Sequence, residues 1–295
     1  MASTAEALIL SRSGRWIRFR RDYPLSILLC LLVAVALAVV ALFAAAIAPM
    51  DPVEQSLLAR LRPPLWFENG RWPYLLGTDE LGRDVLSRCI HGLRMTLGIA
   101  TLGVLIGVLL GSGLGLLSGL GRRSVDAAVM MLVDIQLAVP FLLIALFAIA
   151  LFGTELNVLI GVVGVAYWEQ YARIVRGQVL MVRALPFVEA SRAAGASTAW
   201  IAFRHVLPNV ASPIIVYLAL NYSNIVLLES SLSFLGLGVQ PPTASLGAMI
   251  GQGRDYMTSA PWVVLCPALL IITIALVVSL LGDWLRDRLD VRLGP

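Results

Sequence analysis

A short polar segment, "EASRAAGASTAWIAFRHVLPN" (residues 189–209), separates two long apolar runs. The segment contains many small residues, two arginines, one histidine and a Leu-Pro pair near its end. A membrane-spanning helix needs about 20 mainly apolar residues, and the runs on both sides reach that length. The sequence therefore predicts a small water-facing element between two helices that cross a bilayer.

The composition is that of a membrane protein. Hydrophobic residues make up 59% of the 295 residues and charged residues only 14%, whereas soluble domains carry about 25% charged residues. Every basic residue is an arginine, and the net charge is +4. The arginines flank the apolar runs instead of gathering on one polar face, which argues against a nucleic-acid partner and favours membrane-topology signals.

The three cysteines do not predict a metal site or a disulfide framework. Cys30 and Cys266 lie inside apolar runs, and Cys89 stands alone before another run. An odd, scattered set of this kind lacks the spacing of zinc ligands or of a disulfide scaffold. We therefore expect no metal site and no cofactor bound by this chain itself.

Six apolar stretches are long enough to span a bilayer, which predicts an all-α integral membrane fold with six transmembrane helices. They lie close to residues 25–47, 95–118, 127–152, 156–175, 210–232 and 262–282.

Basic residues predict the orientation of these spans. Five arginines precede the first span, Arg12, Arg15, Arg18, Arg20 and Arg21, and cytoplasmic loops carry an excess of such residues. Six spans then place both termini in the cytoplasm. We divide the chain into a cytoplasmic segment (1–24), a first span with an external loop and amphipathic helix (25–94), a core transmembrane domain (95–282) that contains the cytoplasmic loop 185–209, and a cytoplasmic tail (283–295).

The second predicted span carries glycines at every fourth position, which places them along one face of a helix. They are Gly103, Gly107, Gly111, Gly115 and Gly119. A face without side chains allows another helix backbone to approach closely. We expect this face to be a helix-packing surface.

Ionisable and amide side chains inside spans are candidates for function, because lipid disfavours them strongly. The candidate lining of a pathway for a hydrophilic cargo consists of Asp134, Gln136, Asn221, Asn224, Glu229 and Ser230. The alternative is that such groups form hydrogen bonds between helices, or that Glu169 pairs with Arg173 one turn later on the same helix.

The outer stretch "GTDELGRDVLSRCIHGLRMTL" (residues 77–97) has the pattern of an amphipathic helix. Thr78 or Asp79 is suited to cap it, and Leu81, Val85, Cys89 and Leu93 form one apolar stripe. The pattern predicts an interfacial helix on the membrane surface before the second span. A contact with a partner at the outer mouth is the alternative.

The pattern of the polar segment itself predicts two short helices joined by a glycine turn. Pro186 suits a first helical turn, and Gly195 can adopt a positive φ and end the first helix. Ser197 or Thr198 can cap a second helix, and Pro208 follows at the start of the next span. A slim helix of this kind suits a groove on a soluble partner. An ordinary loop, alanine-rich for helix propensity, is the alternative.

The same segment resembles the "EAA" loop of bacterial ABC-importer permeases, whose pattern is E-A-A, three residues, G, nine residues, I-x-L-P. Glu189, Ala190, Gly195, Leu207 and Pro208 match at the same spacing. Two positions depart from the pattern: Ser191 replaces the second alanine, and His205 replaces the isoleucine.

Other stretches are similar to the C-type subunit of the dipeptide/oligopeptide (peptide/nickel) permeases. They are "LGTDELGRDVLSR", "ALPFVEASRAAGAS", "SLSFLGLGVQPP" and "LGDWLRDRLDVRL". The resemblance runs from about residue 75 to residue 293. It implies the type I ABC-importer permease architecture in the bacterial inner membrane, with a cytoplasmic coupling helix.

The resemblance also implies partners. They are a homologous permease subunit, two ATP-binding subunits that hold ATP and Mg²⁺, an external solute-binding protein, and the lipid bilayer. The implied ATPase-coupling residues are Glu189, Ala190, Ser191, Arg192, Ala193, Gly195, Ala196, Leu207 and Pro208. The chain contains no G-x-x-x-x-G-K-[ST], so it does not supply the ATP site.

Three alternatives stay open at this point. The same class of transporter also imports nickel, metal chelates or glutathione-type solutes. A membrane-embedded enzyme would require clustered catalytic residues, and the sequence contains neither H-E-x-x-H nor G-x-S-x-G. A passive channel would conduct without ATP.

Overall fold

The computed structural model describes residues 25–289, and the regular elements within this range are helices, apart from an isolated bridge between Thr78 and Asp84. We number the helices α1 (Leu25–Leu42), α2 (Ala44–Ile47), α3 (Val85–Leu120), α4 (Arg123–Ala138), α5 (Phe141–Phe152), α6 (Leu156–Gly164), α7 (Trp168–Val182), α8 (Pro186–Ala193), α9 (Thr198–Ile201), α10 (Leu207–Phe234), α11 (Leu246–Gly253) and α12 (Trp262–Leu289). The expected cytoplasmic segment 1–24 lies outside the described residues, as does the end of the tail after Leu289.

The described residues contain five helical stretches that are long and apolar enough to cross a membrane, or six when α4 and α5 count as one broken span. The stretches are Leu25–Leu42, Val85–Leu120, Leu156–Val182, Thr198–Phe234 and Trp262–Leu289. The third predicted span, 127–152, is bent by 93° between α4 and α5. Pro140 lies at this break, where proline removes a backbone donor and disfavours a helical residue before it.

Helix α3 lies at the centre of the fold, and its glycine face contacts α6 and α7. A Cβ atom built on Gly111 would lie 2.3 Å from the carbonyl oxygen of Trp168, and one on Gly115 would lie 2.7 Å from that of Ala172. Gly103, Gly107 and Gly119 are also buried on this face. The backbones approach so closely that a methyl group does not fit at Gly111 or Gly115 without movement.

The outer amphipathic stretch differs from its prediction. The helix begins at Val85, with the Asp84 side chain accepting a hydrogen bond from the Ser87 N–H, so neither Thr78 nor Asp79 is the cap. It does not lie apart on the membrane surface but continues without interruption into the second span, and the domain boundary at residues 94 and 95 falls inside α3. The reason is burial: Val85, Cys89 and Leu93 are buried against other parts of the protein.

Asp79 and Arg83 form a buried ion pair in the segment that precedes α3. Asp79 accepts from the Arg83 Nε at 2.6 Å and lies 3.2 Å from the Nε of Arg88. The Arg88 guanidinium also donates to Gln252 in α11 at 3.2 Å, and all three charged side chains are buried. This network fixes the segment onto α3 and α11.

Two features at the carboxyl end were not predicted. A short helix, α11, follows the fifth span and is capped by Ser245, whose hydroxyl accepts from the Ala248 N–H. The last span does not end at residue 282 but continues as α12 to Leu289, so the first part of the expected tail is helical.

Candidate coupling hairpin and pathway residues

Residues 185–209 form a helical hairpin, as the sequence predicts. Helix α8 ends at Ala193, and Gly195 follows with a φ of +87°. The N–H of Gly195 bonds to the carbonyl of Arg192, and the N–H of Ala196 bonds to that of Ser191. This pair of bonds closes a helix C-terminus through a left-handed residue, a conformation that glycine adopts without strain.

The second arm begins at Ser197, whose hydroxyl accepts from the Trp200 N–H at 3.2 Å. It does not stop before Pro208. Helix α9, a π-helical turn (Ala202–Val206) and α10 follow one another without a gap, so the arm is an extension of the fifth span. The second arm and the fifth span therefore form one uninterrupted helical stretch, Thr198–Phe234.

The base of the hairpin is anchored by apolar packing. Val188 and Ile201, one from each arm, are buried together with Val175, Val179, Val182, Val206 and Val210 from α7, the π-helical turn and α10. The tip is open: Glu189, Ala190, Arg192, Ala193 and Gly195 are exposed, as are the rings of Trp200 and Phe203. The base of the hairpin is therefore fixed by packing, and its tip exposes polar and aromatic side chains.

The two positions that depart from the EAA pattern contact each other. The Ser191 hydroxyl and the Nε2 of His205 are 2.9 Å apart. The imidazole also lies edge-on against two rings, Phe187 at 5.3 Å and Trp200 at 5.0 Å between centroids. This bridge joins the two arms of the hairpin, and local sequence patterns do not predict it because the two residues lie on different arms.

The six candidate pathway residues fall into two groups. Asp134 and Gln136 lie near the end of α4, where Asp134 forms an exposed ion pair with Arg173 of α7 at 2.9 Å. This ion pair replaces the alternative pairing of Glu169 with Arg173. Glu169 is buried and instead accepts from the Gln136 amide at 2.9 Å.

The other four candidates lie on α10. Asn224 is exposed and donates to the buried Asn221 at 3.1 Å. Glu229 and Ser230 are buried, and Glu229 accepts from the Ser233 hydroxyl at 2.8 Å. In this conformation Glu229 is enclosed and does not reach a surface, because α11 packs against this part of α10. A pathway role for these residues stays a prediction.

Comparisons with known proteins agree with this geometry. The family described as "Binding-protein-dependent transport system inner membrane component" matches residues 93–294. The di/tripeptide transport system permease protein DppC of Pseudomonas aeruginosa is 44% identical over 86% of this chain and 84% of its own. The dipeptide permease DppC of Haemophilus influenzae is 37% identical over 94% of each chain. A glutathione transport permease, GsiD of Pectobacterium atrosepticum, is 38% identical over 74% of this chain and 72% of its own.

Solved structures share the fold. An inward-facing structure of the methionine ABC transporter MetNI superposes with a TM-score of 0.55 at 20% identity, over 68% of this chain and 96% of the other. A crystal structure of an amino acid ABC transporter gives 0.52 at 20% identity, over 68% and 94%. Together with the family match, this architecture is that of a type I ABC-importer permease. The chain belongs to the binding-protein-dependent transport system inner membrane components, multi-pass permease subunits that work with ATPase and substrate-binding partners.

Proposed function

We propose that this chain is the permease subunit of an ATP-driven importer that moves short peptides into the cytoplasm by alternating access. The names of its relatives support the peptide cargo, since two at 44% and 37% identity are di/tripeptide or dipeptide permeases. It pairs with a homologous permease and with two ATPase subunits that bind ATP and Mg²⁺. An external binding protein delivers the cargo, and both termini lie in the cytoplasm.

The observation that carries this proposal is the continuity of the hairpin with the fifth span. The tip presents Glu189 and Arg192 to solvent, while Val188 and Ile201 fix its base to α7 and α10. A partner that binds the tip therefore moves α7 and α10 together. ATP-driven closure of the ATPase subunits would in this way move the helices that line the pathway.

Substitutions at the hairpin test the coupling role. Gly195→Pro is incompatible with the turn, because proline fixes φ near −65° and lacks the N–H that bonds to Arg192. We expect Gly195→Pro and Glu189→Lys to leave the complex assembled but to abolish uptake. Gly195→Asn is the matched control, since asparagine tolerates a left-handed conformation. Normal uptake by both disruptive variants would contradict the coupling role.

The cargo is tested by uptake in a strain that lacks this gene. Labelled di- to pentapeptides are compared with glutathione and nickel, because one relative is a glutathione permease. We expect complementation to restore peptide uptake most strongly. Restoration of glutathione or nickel uptake alone would assign the other cargo, and flux without ATP would indicate a channel.

A further inference from the structure

Two membrane helices are interrupted at the same place in the fold. Helix α4 ends at Ala138 before the 93° bend into α5, and α6 ends at Gly164 before α7 starts at Trp168. The Gln136 amide joins the two breaks: it donates to the carbonyl of Val165 at 2.8 Å and to Glu169 at 2.9 Å, and it accepts from the Trp168 indole.

Interrupted backbone at membrane depth is tolerated only where protein or a water-filled cavity surrounds it. In transporters, such breaks mark cargo sites near the middle of the membrane. Asp134 lies eleven residues into α4, about 16 Å along the helix at 1.5 Å per residue. Arg173 lies nine residues before the end of α7, about 14 Å by the same rise. Both lie within candidate membrane spans, about 14–16 Å from the helix ends on the same side of the bundle.

The Asp134–Arg173 pair is open to its surroundings even though it lies within membrane-spanning helices. The side chain of Asp134 is 69% exposed and that of Arg173 is 52% exposed. Lipid contact at this depth is strongly unfavourable for both charges. The face of α4 and α7 that carries them must therefore meet water or another polar surface, as the wall of a pathway does.

More polar groups continue this wall. On α7, the half-buried Gln170 accepts a hydrogen bond from the Tyr217 hydroxyl of α10. Within the described residues, Asp134, Gln136, Gln170, Arg173 and Tyr217 thus form a polar belt across three spans. Its two opposite, exposed charges lie beside each other at 2.9 Å.

We infer that this belt is a cargo site in which Asp134 takes the ammonium end of a short peptide and Arg173 takes its carboxylate end. This inference rests on the proposed function. In the empty site the two side chains neutralise each other, and a zwitterionic peptide replaces each charge with its own complementary terminus. Recognition by the termini alone accepts many side chains, because the charges common to all unblocked peptides make the contact.

The neutral double variant Asp134→Asn/Arg173→Gln tests the site, because it removes both charges and leaves polar side chains that can still form hydrogen bonds. Binding of dialanine and of its blocked form, N-acetyl-dialanine amide, is measured on the purified permease–ATPase complex without the binding protein. We expect the variant to bind dialanine at least about tenfold more weakly, since hydrogen bonds to charged groups are among the stronger ones. Binding of the blocked form should be unchanged.

The second ion pair between the same helices supplies a matched control. Arg176 of α7 donates to Asp126 of α4 at 2.7 Å, and both side chains are about one-third exposed or less. Asp126→Asn/Arg176→Gln should lower thermal stability without changing the preference for dialanine over the blocked form.

The outcomes separate this inference from the proposed function. If the wild-type importer takes up no peptide, the peptide function itself is wrong. If it takes up dialanine, and Asp134→Asn/Arg173→Gln neither weakens dialanine binding nor reduces its uptake, the cargo site is wrong while the function stands. If the Asp126→Asn/Arg176→Gln control lost the preference for dialanine to the same extent, the cargo site would also be wrong, because the effect would then reflect helix packing.

Discussion

Glycine positions on α3 show how single residues set the distance between membrane helices. The four-residue spacing was readable in the sequence, because it places residues on one helix face. Which helix lies opposite was not readable, since α6 and α7 follow more than 35 residues later in the chain. Gly113, which lies on the same helix but off this face, has no atom within 4 Å of a built Cβ.

This difference predicts opposite effects for two alanine substitutions. Gly111→Ala should destabilise the protein by about 1–3 kcal/mol through overpacking against Trp168 and Tyr171. Gly113→Ala should be neutral or stabilising by up to about 1 kcal/mol, since alanine is the better helix former. Thermal melting of the purified complex measures both, and equal shifts would rule out the close backbone contact.

Asp79 gives a second prediction at the residue scale. Asp79→Asn leaves the buried guanidiniums of Arg83 and Arg88 without their shared carboxylate. Removing one partner of a buried ion pair lowers the free energy of unfolding by about 3–5 kcal/mol. Trypsin added from outside should then cleave the external segment faster. Asp255→Asn, which affects an exposed pair with Arg254, is the control, and equal cleavage in the two variants would contradict the network's role.

At the scale of elements, the sequence predicted the hairpin well because its signals are local. Gly195 provides the turn and Ser197 provides the cap of the second arm. Proline at position 140 accounts locally for a break after Ala138 but not for the size of the bend. Its 93° angle and the break before α7 depend on hydrogen bonds of Gln136 with residues about 30 positions away, which local patterns do not encode.

The bridge between the arms predicts a non-additive pair of substitutions. Ser191→Ala and His205→Ile restore the EAA pattern, and each alone removes the 2.9 Å contact. The double variant should be closer to the wild type than the sum of the single effects, with a coupling of about 0.5–3 kcal/mol typical of contacting residues. Thermal stability and uptake are the measurements, and strictly additive effects would show that the contact is not energetically linked.

For the whole molecule, the sequence predicted the fold class and the membrane spans from composition and apolar run length. It did not predict how distant polar groups meet: the Asp134–Arg173 pair joins positions 39 residues apart. Nor did it predict that Arg88 of α3 donates to Gln252 of α11 and also contacts Asp79 of the segment before α3. Within the described residues, the fold joins the segment before α3, the polar belt of α4, α7 and α10, and the hairpin in one chain.

The most direct test of the coupling role is a cross-link from the hairpin tip to an ATPase subunit. Ala193 is exposed at that tip, and Ala193→Cys is introduced after replacement of Cys30, Cys89 and Cys266. In membranes that contain the assembled importer, we predict a cross-link to an ATPase subunit, with loss of uptake that reduction reverses. Labelling of this cysteine only by reagents outside the cell, or no cross-link in an assembled importer, would contradict the account.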